Sequence, residues 1–369
     1  MRKRKTSKGT IVLAAGGTGG HIFPAQALAE YLLEQGYQPV LICDDRSKPF
    51  LQGALLKIPH HQILSQRLTG SLPHKVCGIT KLMFGLFKVR AFMKKQRPQL
   101  VIGFGGYPSF PALAAAYMLG IKSIISEQNA VLGWVNRLVS SVVQKICVTF
   151  PDTRGIKQKY RSKMVITGTP VRKEIINCKG SKPVSKAKKF RILVIGGSQG
   201  ARIFSEIIPP AIALLPEALQ KKISITQQAR PEYLEGTLAE FKKCQAQVHV
   251  EPFFININKL ISDADLVICR AGASSIAEVA TIGKATILVP YAIAVDNHQF
   301  YNALNLVSEH AAIMITEKHF KPRELARVLE DLMTTPEKLK ELRKNIGKFS
   351  QADALKKLGK IVEECVMHT

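Results

Sequence analysis

The tightest constraint on this chain is a local pattern that it uses twice. Arg191–Ala201 reads RILVIGGSQGA. Ile192–Ile195 is a short apolar run of the kind that forms a strand buried on both faces. Gly196, Gly197, Ser198 and Gly200 follow at once, and an apolar-periodic helix is predicted from Ile203 to Leu215. Thr10–His21, TIVLAAGGTGGH, has the same layout earlier in the chain. Strand, glycine turn and helix together suit a phosphate: glycine lets the backbone approach an anion, and the helix N-terminus offers unpaired N–H groups and a partial positive charge.

Short apolar runs alternate with amphipathic stretches on either side of these loops. In the first half, strands are expected at Ile11–Ala15, Val40–Cys43, Leu100–Gly103, Ser123–Ser126, Lys145–Val148 and Val165–Thr167, with a helix over Ile22–Gln35 that Gly36 stops. Cys178–Lys189 is polar, basic and punctuated by Gly and Pro, as a linker is. The pattern then restarts with strands at Ile192–Ile195, Ile223–Thr226, Val248–Val250, Leu266–Cys269, Ala285–Val289 and Ala312–Ile315. The expected fold is α/β: two Rossmann-like domains, each a doubly wound parallel sheet, facing across a cleft. The domains are read as 1–177 and 190–349, with 178–189 as linker. A last helix within 350–369 is expected to pack back on the first domain.

Net charge is +26, from 53 Lys+Arg against 27 Asp+Glu, which calls for anionic partners: nucleic acid, acidic lipid or phosphorylated substrates. Seven scattered cysteines without a CxxC pair read as buried free thiols in a reducing compartment. The basic Met1–Lys8 precedes no long apolar stretch, and no run of about 18 apolar residues occurs, so neither a signal peptide nor a membrane span is expected.

The loop Gly16-Gly17-Thr18-Gly19-Gly20-His21 is neither the dinucleotide fingerprint, since Ile22 stands where a glycine is required, nor a Walker A loop, since no Lys-Ser/Thr follows. It is a tight turn with a capping histidine, or an anion cradle with His21 as general base on the cleft floor. Gly196-x-Ser198-x-Gly200 also matches a nucleophile elbow, but a hydrolase does not explain the twin loop, and a serine that binds phosphate fits better. Arg270–Glu278 follows a predicted strand. Gly272 to Ser275 would open a helix toward a diphosphate, and Glu278 either holds ribose hydroxyls or is a surface residue. Asp296 is expected as an N-cap, followed by His298 and Gln299, whose neutral donors and acceptors suit sugar hydroxyls. Gly103–Ser109 and Ser126–Asn129 end two more strands. Along Lys75–Arg97, the residues Ile79, Leu82, Leu86 and Met93 share an apolar face. Lys81, Lys88 and Lys95 form a stripe opposite, flanked by Phe84 and Phe92, a pattern that suits docking on anionic lipid.

Taken together, GGTGGHIFPA, GFGGYPS, SEQNAVLG, GTPVR, GGSQGAR, CRAGASSIAE and DNHQFYNA, in this order along the chain, resemble the MurG family of peptidoglycan N-acetylglucosaminyltransferases, of the two-domain GT-B type. The resemblance implies inverting transfer of N-acetylglucosamine from its UDP donor to the muramoyl C4 hydroxyl of lipid I, forming lipid II, by a peripheral enzyme on the cytoplasmic face of the inner membrane. It implies that Arg172, Ser198, Ala273, Ser274, Ser275, Glu278 and Gln299 hold the UDP-sugar, with Phe254 where the family's backbone meets uracil. Thr18, Gly19, Gly20 and Asn129 would lie toward the sugar and acceptor. Gly16, Gly17, Gly105, Gly106 and Tyr107 would receive the acceptor, and His21 and Glu127 are its acid–base candidates. Neither a cofactor nor a protein-bound metal is expected, since no DxD-type motif lies near the loops, and nucleic acid is not an expected partner. Two features depart from the family: Thr169 replaces its usual Asn, and Gln227-Gln228-Ala229-Arg230 replaces its HQxGK. A related transferase with another lipid acceptor and a non-enzymatic anion binder are the alternatives.

Overall fold

The computed structural model describes residues 8–51, 53–63, 72–180, 189–197 and 200–367, with side chains at 72–77 and 79 left aside. The chain forms two compact units: residues up to Arg172 together with those from Gln351 onward, and Lys173–Ser350.

The first unit is built on seven parallel strands, β1 (Thr10–Ala14), β2 (Gln38–Cys43), β3 (His60–Gln62), β4 (Leu100–Gly103), β5 (Ser123–Glu127), β6 (Lys145–Val148) and β7 (Met164–Ile166), in the order β3-β2-β1-β4-β5-β6-β7. Its helices are α1 (Gly19–Glu34), α2 (Leu72–Gln96), α3 (Ser109–Met118) and α4 (Trp134–Val139). The second unit has six, β8 (Phe190–Ile195), β9 (Ile223–Gln228), β10 (Gln247–Glu251), β11 (Leu266–Cys269), β12 (Ala285–Leu288) and β13 (Ile313–Met314), ordered β10-β9-β8-β11-β12-β13. Around them lie α5 (Lys173–Ile176), α6 (Arg202–Ala213), α7 (Glu217–Gln220), α8 (Pro231–Phe241), α9 (Ile257–Asp263), α10 (Ala273–Ile282), α11 (His298–Val307), α12 (Pro322–Thr334) and α13 (Pro336–Ile346). The tail helix α14 (Ala354–Met367) belongs to the first unit. The border between the units falls at Arg172, so α5 goes with the second unit and not, as a border at 177 would have it, with the first.

Alternation along β1 explains the layering. Ile11 and Leu13 are buried against α1 and α14, through Leu28, Leu32, Leu358 and Val362. Val12 and Ala14 are buried on the other face, with Val89 and Met93 of α2 and Ala112 and Ala116 of α3. A strand covered on both faces must be apolar where it is buried, as Ile11–Ala14 of β1 is. The edge strand β3 is His60-His61-Gln62, whose polar side chains carry no such signal.

Strand order decides where ligands fit. In each sheet the order reverses beside one strand, between β1 and β4 and again between β8 and β11. The chain leaves β1 and β4 through the glycine turns at 16–20 and 103–109, and leaves β8 and β11 through Gly196-Gly197 and through 270–272. Each switch point, the usual ligand crevice of an open α/β sheet, is therefore flanked by two of the glycine turns singled out above.

Helix α14 meets α1 closely because Gly359 has no side chain. A Cβ there would lie 2.4 Å from Tyr31 Cε1, and the Tyr31 hydroxyl donates to Glu363 Oε1 at 3.2 Å. In Gly359→Ala a gain of about 1 kcal/mol in helix propensity opposes an overpacking cost of about 1–3 kcal/mol. The expected net result is a lower urea midpoint, measured by circular dichroism.

Candidate active site

The two glycine turns of the first unit interlock. Gly106 (φ +79°) lies so close to the β1 turn that a Cβ would come within 2.5 Å of the Gly16 carbonyl oxygen, and a Cβ on Gly16 would meet Pro108 Cγ at 2.4 Å. The buried Ser109 hydroxyl sits between the turns, 2.8 Å from both the Ala14 and the Gly105 carbonyls. His21, in the first turn of α1, is gripped in this joint. Its Nδ1 lies 2.9 Å from the Gly16 carbonyl oxygen, and since a carbonyl only accepts, Nδ1 carries a proton; in the neutral ring Nε2 is then the accepting nitrogen. A Cβ on Gly105 would stand 3.1 Å from Nε2 and crowd that edge. Thr18 N-caps α1 with extended backbone and no side-chain cap bond, while Gly19 and Gly20 begin the helix. The Gly17 N–H faces the buried Asp44 carboxylate at 3.3 Å, and Arg46 Nε pairs with Asp44 at 2.8 Å. That amide is thus turned toward an anion of the protein itself.

Glu127, at the end of β5 and buried, holds its loop together. Oε1 accepts from the backbone and side-chain amides of Asn129, each at 3.1 Å, and Oε2 from Gly133 N at 2.8 Å and Asn136 Nδ2 at 2.9 Å. A carboxylate has about four lone-pair directions, and four N–H donors occupy them. This geometry gives Glu127 the work of fixing Asn129 and α4 and leaves it poorly suited to take a substrate proton. Thr169 reaches the same strand end: its hydroxyl is 2.7 Å from that of Thr149, which donates to the Glu127 carbonyl at 3.3 Å. Arg172 lies in the first unit, its guanidinium 4.6 Å from the centre of the Phe23 ring on α1.

In the second unit, Ser198 lies outside the described residues. Beside it, the Gly196 N–H donates to Gln228 Oε1 at 3.1 Å, and Gln228 Nε2 donates to the Pro252 carbonyl at 3.2 Å. Gln228, in the stretch that departs from the family pattern, thus ties the β8 turn to the loop carrying Phe254, whose ring is buried 6.1 Å from that of His249. Arg230 lies against Gly200. Gly272 caps α10, so Ala273, Ser274 and Ser275 form its first turn and Glu278 follows one turn on. Arg270 stacks on Phe204 and Tyr291 and pairs with Glu317 at 2.6 Å. Gln299 accepts from Tyr291 N at 3.0 Å, and His298 Nδ1 donates to the Val295 carbonyl at 2.7 Å. Asp296 is not the N-cap of α11: that position is Asn297, which makes no side-chain cap bond, and both residues adopt left-handed backbone (φ 51° and 53°). Asn and Asp tolerate this conformation better than other side chains do.

On α2, Leu82, Leu86 and Met93 are buried, and Phe84 is exposed with Lys88 Nζ 4.6 Å from its ring centre. Lys95 is exposed and Lys81 half-buried. Phe92 does not join the exposed face: its ring stacks on His61 at 4.6 Å and packs on the core. Burial, and next Lys88, lower the pKa of His61, so it is neutral there. The exposed companions of Phe84 are Met83 and Phe87.

The N-terminal domain model of glycosyltransferase family 28 matches residues 11–148 and its C-terminal domain model matches 191–358. The chain belongs to this family. Among curated relatives, the UDP-N-acetylglucosamine--N-acetylmuramyl-(pentapeptide) pyrophosphoryl-undecaprenol N-acetylglucosamine transferase of Zymomonas mobilis is 39% identical, over 95% of this chain and 91% of its own. The enzyme of the same name from Paramagnetospirillum magneticum is 41% identical, over 95% and 96%. The crystal structure of Acinetobacter baumannii MurG superposes with a TM-score of 0.77 at 32% identity, covering 96% of this chain and 99% of its own.

Sequence reading pointed to the glycine turns and to the Gln227–Arg230 stretch, but not to the bonds that Gln228 makes there, nor to Asp44 and Asn136. Asn136 sits on the inner face of α4, three residues past a glycine, and only Glu127 shows its role. In Glu127→Gln an amide NH2 would face two N–H donors, leaving them unpaired at about 1–3 kcal/mol each. We expect faster amide exchange at Asn129 and Gly133, read by NMR, together with a lower unfolding midpoint. Wild-type stability with only turnover lost would mean that Glu127 acts on substrate.

Proposed function

We propose that this glycosyltransferase moves N-acetylglucosamine from UDP-N-acetylglucosamine to the C4 hydroxyl of the muramyl-pentapeptide carried on pyrophosphoryl-undecaprenol, lipid I, with inversion at the anomeric carbon, and that it does so on the inner face of the cytoplasmic membrane. The observation that carries the reading is the twinned arrangement of glycine turns at both switch points, together with relatives named for this transfer at 39–41% identity.

The donor is assigned to the second unit. The first turn of α10 directs N–H groups and helix-dipole charge toward a diphosphate, and Arg230 adds a guanidinium beside the β8 turn. Glu278 is the partner for ribose hydroxyls, and Gln299 reads sugar hydroxyls through its side-chain amide. As the bond between the anomeric carbon and the UDP oxygen breaks, its electron pair passes to the diphosphate, and these donors stabilise the charge. This reading requires no resident metal.

The acceptor is assigned to the first unit, on the turns at 16–20 and 105–107. Its hydroxyl oxygen attacks the anomeric carbon and gives its proton to His21 Nε2. The Gly16 carbonyl supports this step, because it holds the proton on Nδ1 and stabilises the imidazolium that forms. Glu127 and Asn129 act as positioning residues for that loop.

Two measurements check the proposal. His21→Ala, assayed for UDP release at saturating lipid I, is expected to lose about 10²–10⁴-fold in kcat. A mutant with near wild-type kcat and only a raised acceptor KM would make His21 a binding residue.

For the membrane, no helix among the described residues is long and apolar enough to cross a bilayer. The exposed Met83, Phe84 and Phe87 with the lysines of α2 support peripheral docking on anionic lipid. Lys81→Glu, Lys88→Glu and Lys95→Glu together are expected to weaken sedimentation with phosphatidylglycerol vesicles, at about 1 kcal/mol per lysine neutralised, while UDP binding is retained. Unchanged sedimentation would contradict the docking face.

A further inference from the structure

Helix α4 is held by its inner face and bare on its outer one. Val135, Asn136 and Val139 are buried, and the Asn136–Glu127 bond at 2.9 Å fixes the rotation of the helix about its axis. Trp134 and Leu138, one helical turn apart, therefore face outward, 47% and 52% exposed. The Trp134 ring is flanked by Tyr107, with centroids 6.2 Å apart, and by Phe110, at 6.3 Å. Three aromatic rings and a leucine thus form one ledge. Single exposed apolar side chains are ordinary, but a contiguous exposed cluster such as this marks a surface that an apolar ligand covers.

The position of the ledge indicates what covers it. Tyr107 directly follows Gly106, where a Cβ would lie 2.5 Å from the Gly16 carbonyl oxygen and 3.4 Å from His21 Nδ1. The ledge therefore begins one residue from the turns proposed above for the acceptor, and the glycine turn that opens α1 is the element there suited to its diphosphate. In a polyprenyl diphosphate the first isoprene unit is bonded to the diphosphate itself, so the chain must leave that turn over whatever surface adjoins it. We infer that the Trp134–Leu138–Tyr107–Phe110 ledge binds the first isoprene units of the acceptor's polyprenyl chain, and so distinguishes lipid-linked acceptors from soluble ones. The inference rests on the assignment of the acceptor to the first unit. It differs from bilayer docking by α2, since it needs a single chain and a diphosphate, not a lipid surface.

Trp134 is the sole tryptophan of the chain, so its emission reports on the ledge alone. Titration with farnesyl diphosphate below its aggregation limit is expected to shift the emission saturably to the blue, and inorganic diphosphate to compete without causing the shift. Kinetically, Trp134→Ala is expected to raise the KM for a long-chain acceptor about tenfold, with kcat and donor KM unchanged. The KM for an acceptor analogue lacking the chain should not move, and Trp134→Phe should restore most of the loss.

No blue shift with farnesyl diphosphate, although inorganic diphosphate binds by calorimetry, would overturn the ledge and leave the acceptor assignment standing. A shift that inorganic diphosphate fails to reverse would support the ledge and remove the diphosphate assignment from the neighbouring turn. An equal shift with phosphatidylglycerol vesicles alone, or an equal rise in KM for the chainless analogue, would overturn the inference in favour of bilayer contact or sugar contact.

Discussion

The joint between the glycine turns after β1 and β4 is the contact on which the first unit's site depends. Two backbone segments approach so closely that a Cβ on either side would strike the other, at Gly16 against Pro108 and at Gly106 against the Gly16 carbonyl. Ser109 fills the remaining space and satisfies two carbonyls at once. That approach puts a carbonyl beneath His21 Nδ1, and so chooses the tautomer. The tautomer on which the chemistry assigned to the imidazole depends is therefore set at a backbone carbonyl.

The same economy appears around Glu127. Four donors from three residues, Asn129, Gly133 and Asn136, converge on one buried carboxylate. Here the geometry runs outward: Glu127 fixes α4, and α4 sets the direction of Trp134. In the second unit Gln228 has the corresponding place, holding the β8 turn through Gly196 and the Pro252 loop through its amide. Among the cysteines, Cys147 and Cys269 are buried thiols whose pKa burial pushes up to about 12, which makes them inert packing groups.

Much of this fold was legible because strands covered on both faces must be apolar along their length and glycine turns have few alternatives. Ile192–Ile195 and Leu266–Cys269 could be placed to within a residue or two on those grounds alone. The edge strand β3 was not legible, since His60-His61-Gln62 has no buried face to write a pattern. Phe92 was misjudged as exposed because a helical wheel cannot show His61, brought beside it from another element. Asp296 carried a capping residue's identity, but a turn with two left-handed residues moved the helix start past it. The roles of Asp44, Gln228 and Glu127 were hidden for a common reason: each is defined by partners that only the folded chain brings together, and a carboxylate or an amide in a sequence does not reveal how many donors will surround it.

In the neutral His21 ring, backbone packing holds the proton on Nδ1, with Nε2 proposed as the nitrogen that receives the acceptor's proton. The direct measurement is the pair of imidazole ¹⁵N chemical shifts of His21 in labelled enzyme, at a pH above the titration of the ring. The account predicts a pyrrole-like Nδ1 and a pyridine-like Nε2. The reverse pattern, with the proton on Nε2, would contradict it.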